Sequence, residues 1–273
     1  MKTKTFYLKM KELKRSYTFY HMADGHVMIL GQEEGEAEKK WAEQHYEKWF
    51  HNVGDPLETM SEMIDHMLEH GGDGLMIAGD QVDYISDINV TSIKKQLARL
   101  PMDILYVYGN HEGGSYTRQI DDTKVYYPVY EDVMYGNPSY WVKDYEDFLI
   151  VGMDNSAREI TASQLAFLKE QIARKMPIIM VLHVPLYTEE IAGTVREKWG
   201  EQGHITFTIG TAEHSENARE FCSLIKSPDS NVAAIFAGHL HRAHVGEFAP
   251  GRLQYVAAPA CEGYLYKVII EPT

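Results

Sequence analysis

Short apolar runs rich in β-branched and aromatic residues recur along the chain, and segments with apolar residues at helical spacing separate several of them. The runs predict strands because each is short and is bounded by turn-forming residues. They lie at 16–23, 75–78, 104–108, 148–153, 177–182 and 232–237, with three more at 244–248, 253–258 and 264–270. The alternation predicts an α/β fold with helices outside the sheets. The last three runs, separated by glycine and proline, predict a closing antiparallel meander.

Capping residues mark the predicted helices. Asp55 and Pro56 predict the start of one helix and Gly71 predicts its end. The apolar residues of this helix fall on one predicted buried face: Met60, Met63, Ile64, Met67 and Leu68. Thr161 and Gln164 have capping-box spacing and predict another start. Further helices are predicted at about 91–100 and 215–226, and segment 33–50 is predicted to be a solvated acidic helix or a lid.

The composition is typical of a globular protein. Of 273 residues, 44% are hydrophobic and 24% are charged, which supplies a sizeable core and excludes disordered, collagen-like and coiled-coil chains. The sequence has no repeat, linker or convincing domain boundary, so we predict a single domain over 1–273. Cys222 and Cys261 lack disulfide or metal-thiolate spacing and are predicted to be small core residues.

The net charge of −14 is unevenly distributed. The first fifteen residues carry six basic side chains and one acidic side chain, a net charge of +5, so the rest of the chain carries −19. Such an acidic body argues against avid binding of nucleic acid or of anionic membrane surfaces. No apolar run approaches the ~18 residues of a membrane span, and the basic N-terminus lacks the apolar stretch of a signal peptide. We therefore expect a soluble, cytoplasmic protein, whose oligomeric state the sequence leaves open.

Five of the predicted strands end in short polar clusters. These are Asp24-Gly25-His26, Gly79-Asp80-Gln81-Val82-Asp83, Gly109-Asn110-His111-Glu112, His183 within VLHVP, and Gly238-His239-Leu240-His241. Ligands of open α/β sheets bind at the carboxyl ends of strands, so five segments spread over about 220 residues are predicted to converge on one site.

The donor atoms of these clusters suit a divalent metal. Imidazole, carboxylate and amide oxygen without thiolate favour Mn, Fe, Zn, Co or Ni over copper-thiolate or iron–sulfur sites. The spacing of Asp24 and His26, and of His239 and His241, predicts that each pair points the same way from an extended segment. The glycines before Asp80, Asn110 and His239 predict sharp turns with close backbone approach.

With these five motifs in order between Asp24 and His241, the sequence resembles the calcineurin-like metallophosphoesterases, whose pattern is D-x-H, G-D-x-x-D, G-N-H-E/D, a lone histidine and G-H-x-H. The resemblance implies a four-layer α/β/β/α sandwich of two mixed sheets flanked by helices, with two divalent metal ions at the strand ends. It implies three ligands for the first ion, Asp24, His26 and His241. It implies three for the second ion, Asn110, His183 and His239, with Asp80 bridging both.

The resemblance also implies a hydrolytic mechanism. Two ions about 3.5–4 Å apart lower the pKa of a bridging water from 15.7 towards neutrality, and the resulting hydroxide attacks phosphorus. His111 then faces the scissile phosphate as an electrostatic stabiliser or general acid. Asp83 orients this histidine, with a solvated turn carboxylate as the alternative interpretation of Asp83.

Departures from related subfamilies narrow the expected substrate. Tyr84-Ile85 follows Asp83 where protein Ser/Thr phosphatases carry an Arg-Gly pair, and Asp83 stands where purple acid phosphatases place a ligating tyrosine. We expect a dinuclear phosphoesterase acting on a small phosphodiester or nucleotide-like substrate, with a phosphomonoesterase as the alternative. The alternative from a different class is a catalytically silent scaffold, although such scaffolds usually lack ligands that this chain keeps.

Three segments are candidates to shape the pocket. The aromatic-rich segment 115–141 offers rings for base stacking, although hairpin and core packing is the favoured interpretation for most of them. The long connection 184–214 has the length of a lid or binding loop. Within it, Arg196 is a possible phosphate clamp but is better interpreted as a solvated surface residue. The role of segment 31–52 stays open between a lid, a dimer contact and decoration, and the histidines outside the motifs, including His21 and His45, are predicted to be structural or exposed.

Overall fold

The strands of the computed structural model form two mixed sheets, and the structure describes residues 1–11, 13–31, 35–50, 52–113 and 127–273. Within these residues the first sheet has the strand order β1–β11–β2–β3–β4. Its strands are β1 (Lys2–Met10), β2 (Tyr17–Met22), β3 (Gly74–Ala78), β4 (Asp103–Val107) and β11 (Tyr264–Pro272). The second sheet has the order β5–β6–β7–β8–β10–β9. Its strands are β5 (Tyr140–Asp144), β6 (Leu149–Met153), β7 (Ile178–Val181), β8 (Val232–Ala237), β9 (His244–Ala249) and β10 (Arg252–Val256).

Helices connect most of these strands. They are α1 (Glu36–His45), α2 (Pro56–His70), α3 (Asp87–Leu97), α4 (Tyr127–Tyr130), α5 (Ala162–Ala173), α6 (Glu189–Trp199), α7 (Gly203–Phe207) and α8 (Glu216–Lys226). A π-helical turn, Tyr46–Phe50, extends α1, and a 3₁₀ turn, Ala260–Glu262, precedes β11. Within the described residues, no helix combines the length and apolar character needed to traverse a bilayer.

Alternating side chains of the strands build a four-layer α/β/β/α sandwich, as the resemblance implies. Phe19 and Met76 point between the sheets, where they pack with Phe236. Their strand neighbours Tyr20 and Leu75 point the other way, against α2 and α3. On the far side, the second sheet packs against α5 and α8. Strands buried on both faces must be apolar throughout, which explains why the central runs are so hydrophobic.

The parallel core of each sheet positions the site. Strands β2, β3 and β4 pair parallel in the first sheet, and β6, β7 and β8 pair parallel in the second. Their carboxyl ends therefore lie at the same edge of each sheet.

Several local signals are confirmed. The Asp55 side chain accepts hydrogen bonds from the backbone N–H groups of Leu57 and Glu58, and Gly71 ends α2 with a φ of 65°. The capping box of Thr161 and Gln164 opens α5. Cys222 and Cys261 are both buried and free, so their interpretation as core residues is confirmed.

Two expectations about packing are wrong. The closing strands do not form one meander, because β9 and β10 belong to the second sheet whereas β11 pairs with β1 and β2 in the first. The turn at Ala260–Glu262 carries the chain from one sheet to the other, and this crossing lets the basic N-terminal segment add β1 as an edge strand. In α2, Met60, Met63, Ile64 and Met67 are buried, but Leu68 is 42% exposed because it lies at the margin of the apolar face.

The buried imidazole of His21 in β2 makes stability depend on pH. Its Nε2 donates a hydrogen bond to the carbonyl oxygen of Ala237 (3.2 Å), and burial lowers the pKa of His21 to about 4. The unfolded chain, with a histidine pKa of about 6.5, takes up this proton first as pH falls, so stability is lost between about pH 6.5 and pH 4. We expect His21 to lower the free energy of unfolding by about 2 kcal/mol between pH 7.5 and pH 5. The His21→Leu variant should lose less stability over this interval, measured by urea unfolding of metal-loaded protein. His70→Leu, at the exposed last residue of α2, is the control. Equal pH dependence of His21→Leu and wild type would contradict the prediction.

Candidate metal centre

The sequence-predicted site residues all meet at the carboxyl ends of five strands. Asp24 and His26 follow β2, Asp80 and Asp83 follow β3, Asn110 and His111 follow β4, His183 follows β7, and His239 and His241 follow β8. Potential ligand atoms of Asp24, His26, Asp80 and His241 lie within 4.8 Å of one another, and so do those of Asp80, His183 and His239. Asp80 therefore belongs to both groups.

The paired motifs are not extended, contrary to the sequence prediction. Asp24 and His26 have φ values of 56° and 42°, and His239 and His241 have values of 71° and 47°. Asp80 is also left-handed, with a φ of 54°. This conformation costs of order 1 kcal/mol or more at a non-glycine residue and is concentrated at functional sites. The local turns still bring both members of each pair to the same site.

Two glycines permit the backbones to approach. Gly79 has a φ of 81°, and a β-carbon there would overlap both Gly109 and the His183 ring. A β-carbon at Gly109 would overlap the Asp80 carboxylate. The prediction of close approach at these two glycines is thus confirmed, and a side chain at Gly109 would displace Asp80.

Glu112 fixes the loops that follow β3 and β4. Its buried carboxylate accepts hydrogen bonds from the backbone N–H groups of Asp80 (2.8 Å), Gln81 (2.6 Å) and Gly109 (2.7 Å). The Tyr106 hydroxyl donates a fourth bond (2.6 Å). Four donors satisfy the carboxylate, so Glu112 holds the Asp80 loop in place without being available as a ligand.

The environment of His183 favours a cation. Its Nδ1 donates a hydrogen bond to the carbonyl oxygen of Ala78 (2.7 Å), which leaves the lone pair of Nε2 facing the site. This Nε2 lies 3.1 Å from Asn110 Oδ1 and 3.2 Å from Asp80 Oδ2. Three acceptors therefore converge, and only a proton or a cation relieves their repulsion. Burial lowers the pKa of His183, but the charge and hydrogen bond of Asp80, the Asp24 charge and the Ala78 carbonyl together outweigh burial and raise this pKa to about 9.

The His26 imidazole repeats this arrangement in the other group. Its Nδ1 donates to Asp83 Oδ1 (3.0 Å), so its Nε2 presents a lone pair to His241 Nε2 at 2.9 Å. His241 Nε2 in turn lies 3.7 Å from Asp24 Oδ1. Two imidazole nitrogens this close share either one hydrogen or one cation. A carboxylate that orients a ligating histidine is the usual support of a metal site.

The carboxylates are also arranged for a cation. Burial, with the nearby Asp80 charge, raises the pKa of Asp24 to about 8. Burial acts in the same direction on Asp80, but the His183 and His111 imidazoles hold the pKa of Asp80 well below its usual range. Two adjacent buried carboxylates are costly without compensating positive charge. The residues present therefore fit divalent metal ions in donor type and in placement.

His111 and Asp83 lie beside the ligand groups. His111 Nδ1 donates to the backbone carbonyl oxygen of Asp83 (2.6 Å), whereas the Asp83 carboxylate is 3.7 Å away. The His111 side chain is 20% exposed, and its Nε2 is 4.0 Å from Asp80 Oδ2. Asp83 is fully buried, so its interpretation as a solvated turn carboxylate is wrong. Its carboxylate accepts hydrogen bonds from His26 and from a third histidine.

That third histidine is His45, a site residue that sequence reasoning missed. Its Nδ1 donates to Asp83 Oδ2 (3.0 Å), and its ring stacks on Trp41 at 4.4 Å. His45 is the last residue of α1, outside every motif, so the position of α1 brings it to the site. The sequence predicts His45 to be structural or exposed, and the structure places it at the edge of the candidate metal centre, where its hydrogen bond supports Asp83.

An open cavity of about 340 Å³ lies over these residues. Five of the candidate ligands line this cavity: His26, Asp80, Asn110, His239 and His241. The other lining residues are His45, Phe50, His111, Arg158, Trp199, Thr206 and Phe207. Arg158 is a second residue that the sequence did not reveal, and its backbone is left-handed with a φ of 60°. Burial and the His183 charge lower the pKa of His239 to about 3, and the Arg158 guanidinium contributes to this shift.

The other candidate segments are resolved in part. Arg196 pairs with Glu201 at 3.9 Å and is not among the cavity-lining residues described here, as expected for a surface arginine. Tyr130 and Trp141 are buried in the core, which confirms core packing for these two rings. Tyr116 and Tyr126 lie outside the described residues.

Comparison with known proteins identifies relatives of this arrangement. A family model of calcineurin-like phosphoesterases matches residues 17–243. No match was found among curated protein sequences. Among solved structures, the chain is similar to a dimetal phosphatase from Danio rerio, with 12% identity, a TM-score of 0.52 and coverage of 91% of this chain and 89% of that one. It is also similar to a purple acid phosphatase, PPD1, from yellow lupin (Lupinus luteus) seeds, with 15% identity and a TM-score of 0.55. That alignment covers 94% of this chain but only 46% of the lupin chain.

Proposed function

Because this chain belongs to the calcineurin-like phosphoesterase family and is therefore a metal-dependent phosphoester hydrolase, we propose that it uses two divalent ions to hydrolyse a small phosphodiester or nucleotide-like substrate. The observation that carries the proposal is the convergence of acceptor atoms at His183 Nε2 and at the His26–His241 contact. These converging acceptor atoms need cations to relieve their mutual repulsion, whereas a purely structural cluster would not need them.

The two groups of potential ligand atoms support one proposed assignment of residues to ions. Asp24, His26 and His241 would hold one ion, and Asn110, His183 and His239 would hold the other. Asp80 would serve both, since its carboxylate belongs to both groups. Divalent ions bound there would neutralise phosphoryl charge and activate water as the nucleophile.

Protein groups beside the ions carry the rest of the proposed chemistry. The hydrogen bond from His111 Nδ1 to the Asp83 carbonyl orients the ring, which lines the cavity, and this imidazole would contact a phosphoryl or leaving-group oxygen there. Asp83 holds His26 and His45 in place through its two carboxylate oxygens. Both roles need an orientation that these hydrogen bonds supply before substrate binds.

The charge of the cavity supports a diester. Where protein phosphatases carry an arginine after the second aspartate, Tyr84 is buried here and its hydroxyl donates to the Ile29 carbonyl oxygen (2.9 Å). A phosphomonoester carries a charge of about −1.5 to −2 near pH 7 and calls for more cationic contacts than a diester. Arg158 is the arginine that lines the described cavity, so we propose that it binds a phosphate oxygen.

Removal of the Arg158 guanidinium should weaken substrate binding. We expect Arg158→Met to lower kcat/KM by about 10- to 100-fold, since a hydrogen bond to a charged group is lost. Arg158→Lys should recover part of this loss. Arg196→Met is the matched control and should change kcat/KM less than about twofold, because Arg196 pairs with Glu201. Equal effects of the two methionine variants in steady-state assays would refute the role of Arg158.

Metal loading tests the proposed function directly. The protein would be loaded in turn with Mn, Fe, Zn, Co or Ni, and bound metal would be measured together with hydrolysis of bis-p-nitrophenyl phosphate and p-nitrophenyl phosphate. We expect two ions per chain and a higher kcat/KM for the diester. A higher kcat/KM for the monoester would replace the diester assignment by a monoesterase. Fewer than one ion per chain, with no hydrolysis, would favour the interaction scaffold and overturn the proposal.

A further inference from the structure

The two segments whose roles the sequence leaves open, 31–52 and 184–214, both reach the cavity over the metal centre. The first supplies His45 and Phe50, and the second supplies Trp199, Thr206 and Phe207. The sequence pattern predicts one long connection over 184–214, but this segment contains α6 and α7. Helix α6 carries Trp199, and α7 carries Thr206 and Phe207. Segments outside the motifs thus determine the shape of the space that a substrate would occupy.

An aromatic pair forms the wall at the His239 end of the cavity. The rings of Trp199 and Phe207 lie 4.5 Å apart and nearly parallel, with an angle of 16° between their planes. Both side chains are half-buried, and the Phe207 ring lies 5.1 Å from the His239 ring. The stacked pair is therefore continuous with the ligand group that includes His183 and His239.

A third ring lies at the other end of the ligand groups. Phe50 is buried, with its ring 5.3 Å from the ring of His26. Aromatic rings thus flank both ligand groups, while the imidazoles and carboxylates lie between them. A phosphoester placed with its phosphate over the ligands would direct its alcohol portion towards one of these rings. The Trp199–Phe207 pair is the more accessible of the two ends, since Phe50 is only 4% exposed.

On the basis of the proposed phosphoesterase function, we propose that the alcohol portion of the substrate carries a planar aromatic or heteroaromatic ring, which stacks on the Trp199–Phe207 pair. A cavity of about 340 Å³ is at the small end of the range of about 300–1,000 Å³ for small-molecule sites, so it suits one such ring. Flat rings gain from stacking on aromatic side chains in a way that saturated rings do not. In the reaction, the oxygen of water bonds to phosphorus, the bond from phosphorus to the alcohol oxygen breaks, and the ring-bearing alcohol leaves with a proton from that water.

A matched pair of substrates isolates the ring. Benzyl and cyclohexylmethyl esters both release a primary alcohol, so their leaving groups differ mainly in planarity. We would measure kcat/KM for the two esters, in the ester class that the metal-loaded enzyme turns over. We expect about a 10-fold preference for benzyl in the wild type, which is within the range for loss of one stacking contact. Phe207→Leu and Trp199→Leu should reduce this preference to near unity.

The controls separate stacking from damage to the metal centre. Phe167→Leu removes another half-buried ring, which packs on Tyr140 at 4.6 Å outside the cavity, and should leave the preference unchanged. Trp199→Leu removes the ring that stacks on Phe207 but keeps Phe207, which is the ring beside His239. This variant therefore remains informative if Phe207→Leu alters metal content. Calorimetric titration with benzylphosphonate and cyclohexylmethylphosphonate gives a readout independent of turnover, with the same ratio expected in Kd.

The outcomes are distinguishable. Equal kcat/KM and equal Kd for the two rings in the wild type, or a preference that survives both leucine variants, would overturn the stacking inference while leaving the phosphoesterase intact. Hydrolysis of neither ester by metal-loaded protein would count against the proposed function. In that case a benzylphosphonate preference that Trp199→Leu abolishes would still support the aromatic subsite.

Discussion

The Asp80→Asn variant is expected to lose at least about 1,000-fold in kcat against bis-p-nitrophenyl phosphate, the upper range for removal of one preorganised electrostatic group. The Asp80 carboxylate is shared by both ligand groups, and its Oδ2 lies 3.2 Å from His183 Nε2. Its Oδ1 also accepts a hydrogen bond from the backbone N–H of His111 (2.8 Å). Asparagine keeps the shape and one acceptor oxygen but removes the negative charge that would bind both ions. We therefore expect bound metal to fall from two ions per chain to one or fewer.

The comparison variant for Asp80 is Asp103→Asn. Asp103 is the first residue of β4, so it lies at the amino end of a strand whose carboxyl end carries the site. Its carboxylate pairs with Lys143 at 3.0 Å. This substitution removes the same charge from a partly buried pair that does not line the described cavity, so activity and metal content should stay within about twofold of wild type. Wild-type turnover with two ions bound in Asp80→Asn would show that Asp80 does not bridge the ions.

The central layers of the fold could be predicted from sequence because short-range chemistry dictates them. The run 232–237 matches the bounds of β8, and Asp55, Pro56 and Gly71 mark the ends of α2. These signals depend on caps, turns and burial of both strand faces, all of which are local. Long-range pairing carries no such signal. The crossing of β11 into the first sheet depends on which edge is available, so the meander prediction was wrong.

The candidate site also contains residues that local sequence patterns predict and residues that only the tertiary fold brings together. The ligand clusters were predictable because each follows a buried strand and because their order matches a known motif. Their left-handed backbone at Asp24 and His241 was not, since the spacing alone is compatible with an extended segment. His45 and Arg158 have no motif around them and join the site only through the docking of separate segments. The candidate metal ligands were therefore apparent from the sequence, whereas the residues proposed to select the substrate were not.

The His111→Ala variant is expected to lower kcat by about 100- to 10,000-fold while leaving metal content unchanged. His111 belongs to neither of the two groups that share Asp80, although it forms a third group of potential ligand atoms with His26 and Asp83. Members of that third group are already hydrogen-bonded to one another, since His26 Nδ1 donates to Asp83 Oδ1 and His111 Nδ1 donates to the Asp83 carbonyl at 2.6 Å. His111 also lines the cavity. Its side chain would thus meet the substrate rather than an ion. Two substrates distinguish the two roles that the sequence leaves open. If His111 protonates the leaving group, the loss should be larger for an alkyl ester than for a p-nitrophenyl ester, whose leaving group needs little protonation. If His111 stabilises phosphoryl charge, the two losses should be equal.

His66→Ala provides the control for this comparison, because His66 lies on α2, where its ring packs against Tyr20 at 6.2 Å, outside the cavity. It should retain wild-type kcat for both esters. Metal content measured alongside turnover is decisive, since loss of an ion in His111→Ala would assign the imidazole to the ligands. Full activity of His111→Ala on both esters would remove His111 from the mechanism altogether. In that case the Asp83 carbonyl would orient a His111 ring that has no catalytic role. Asp83 would then act only through its carboxylate, which holds His26 and His45.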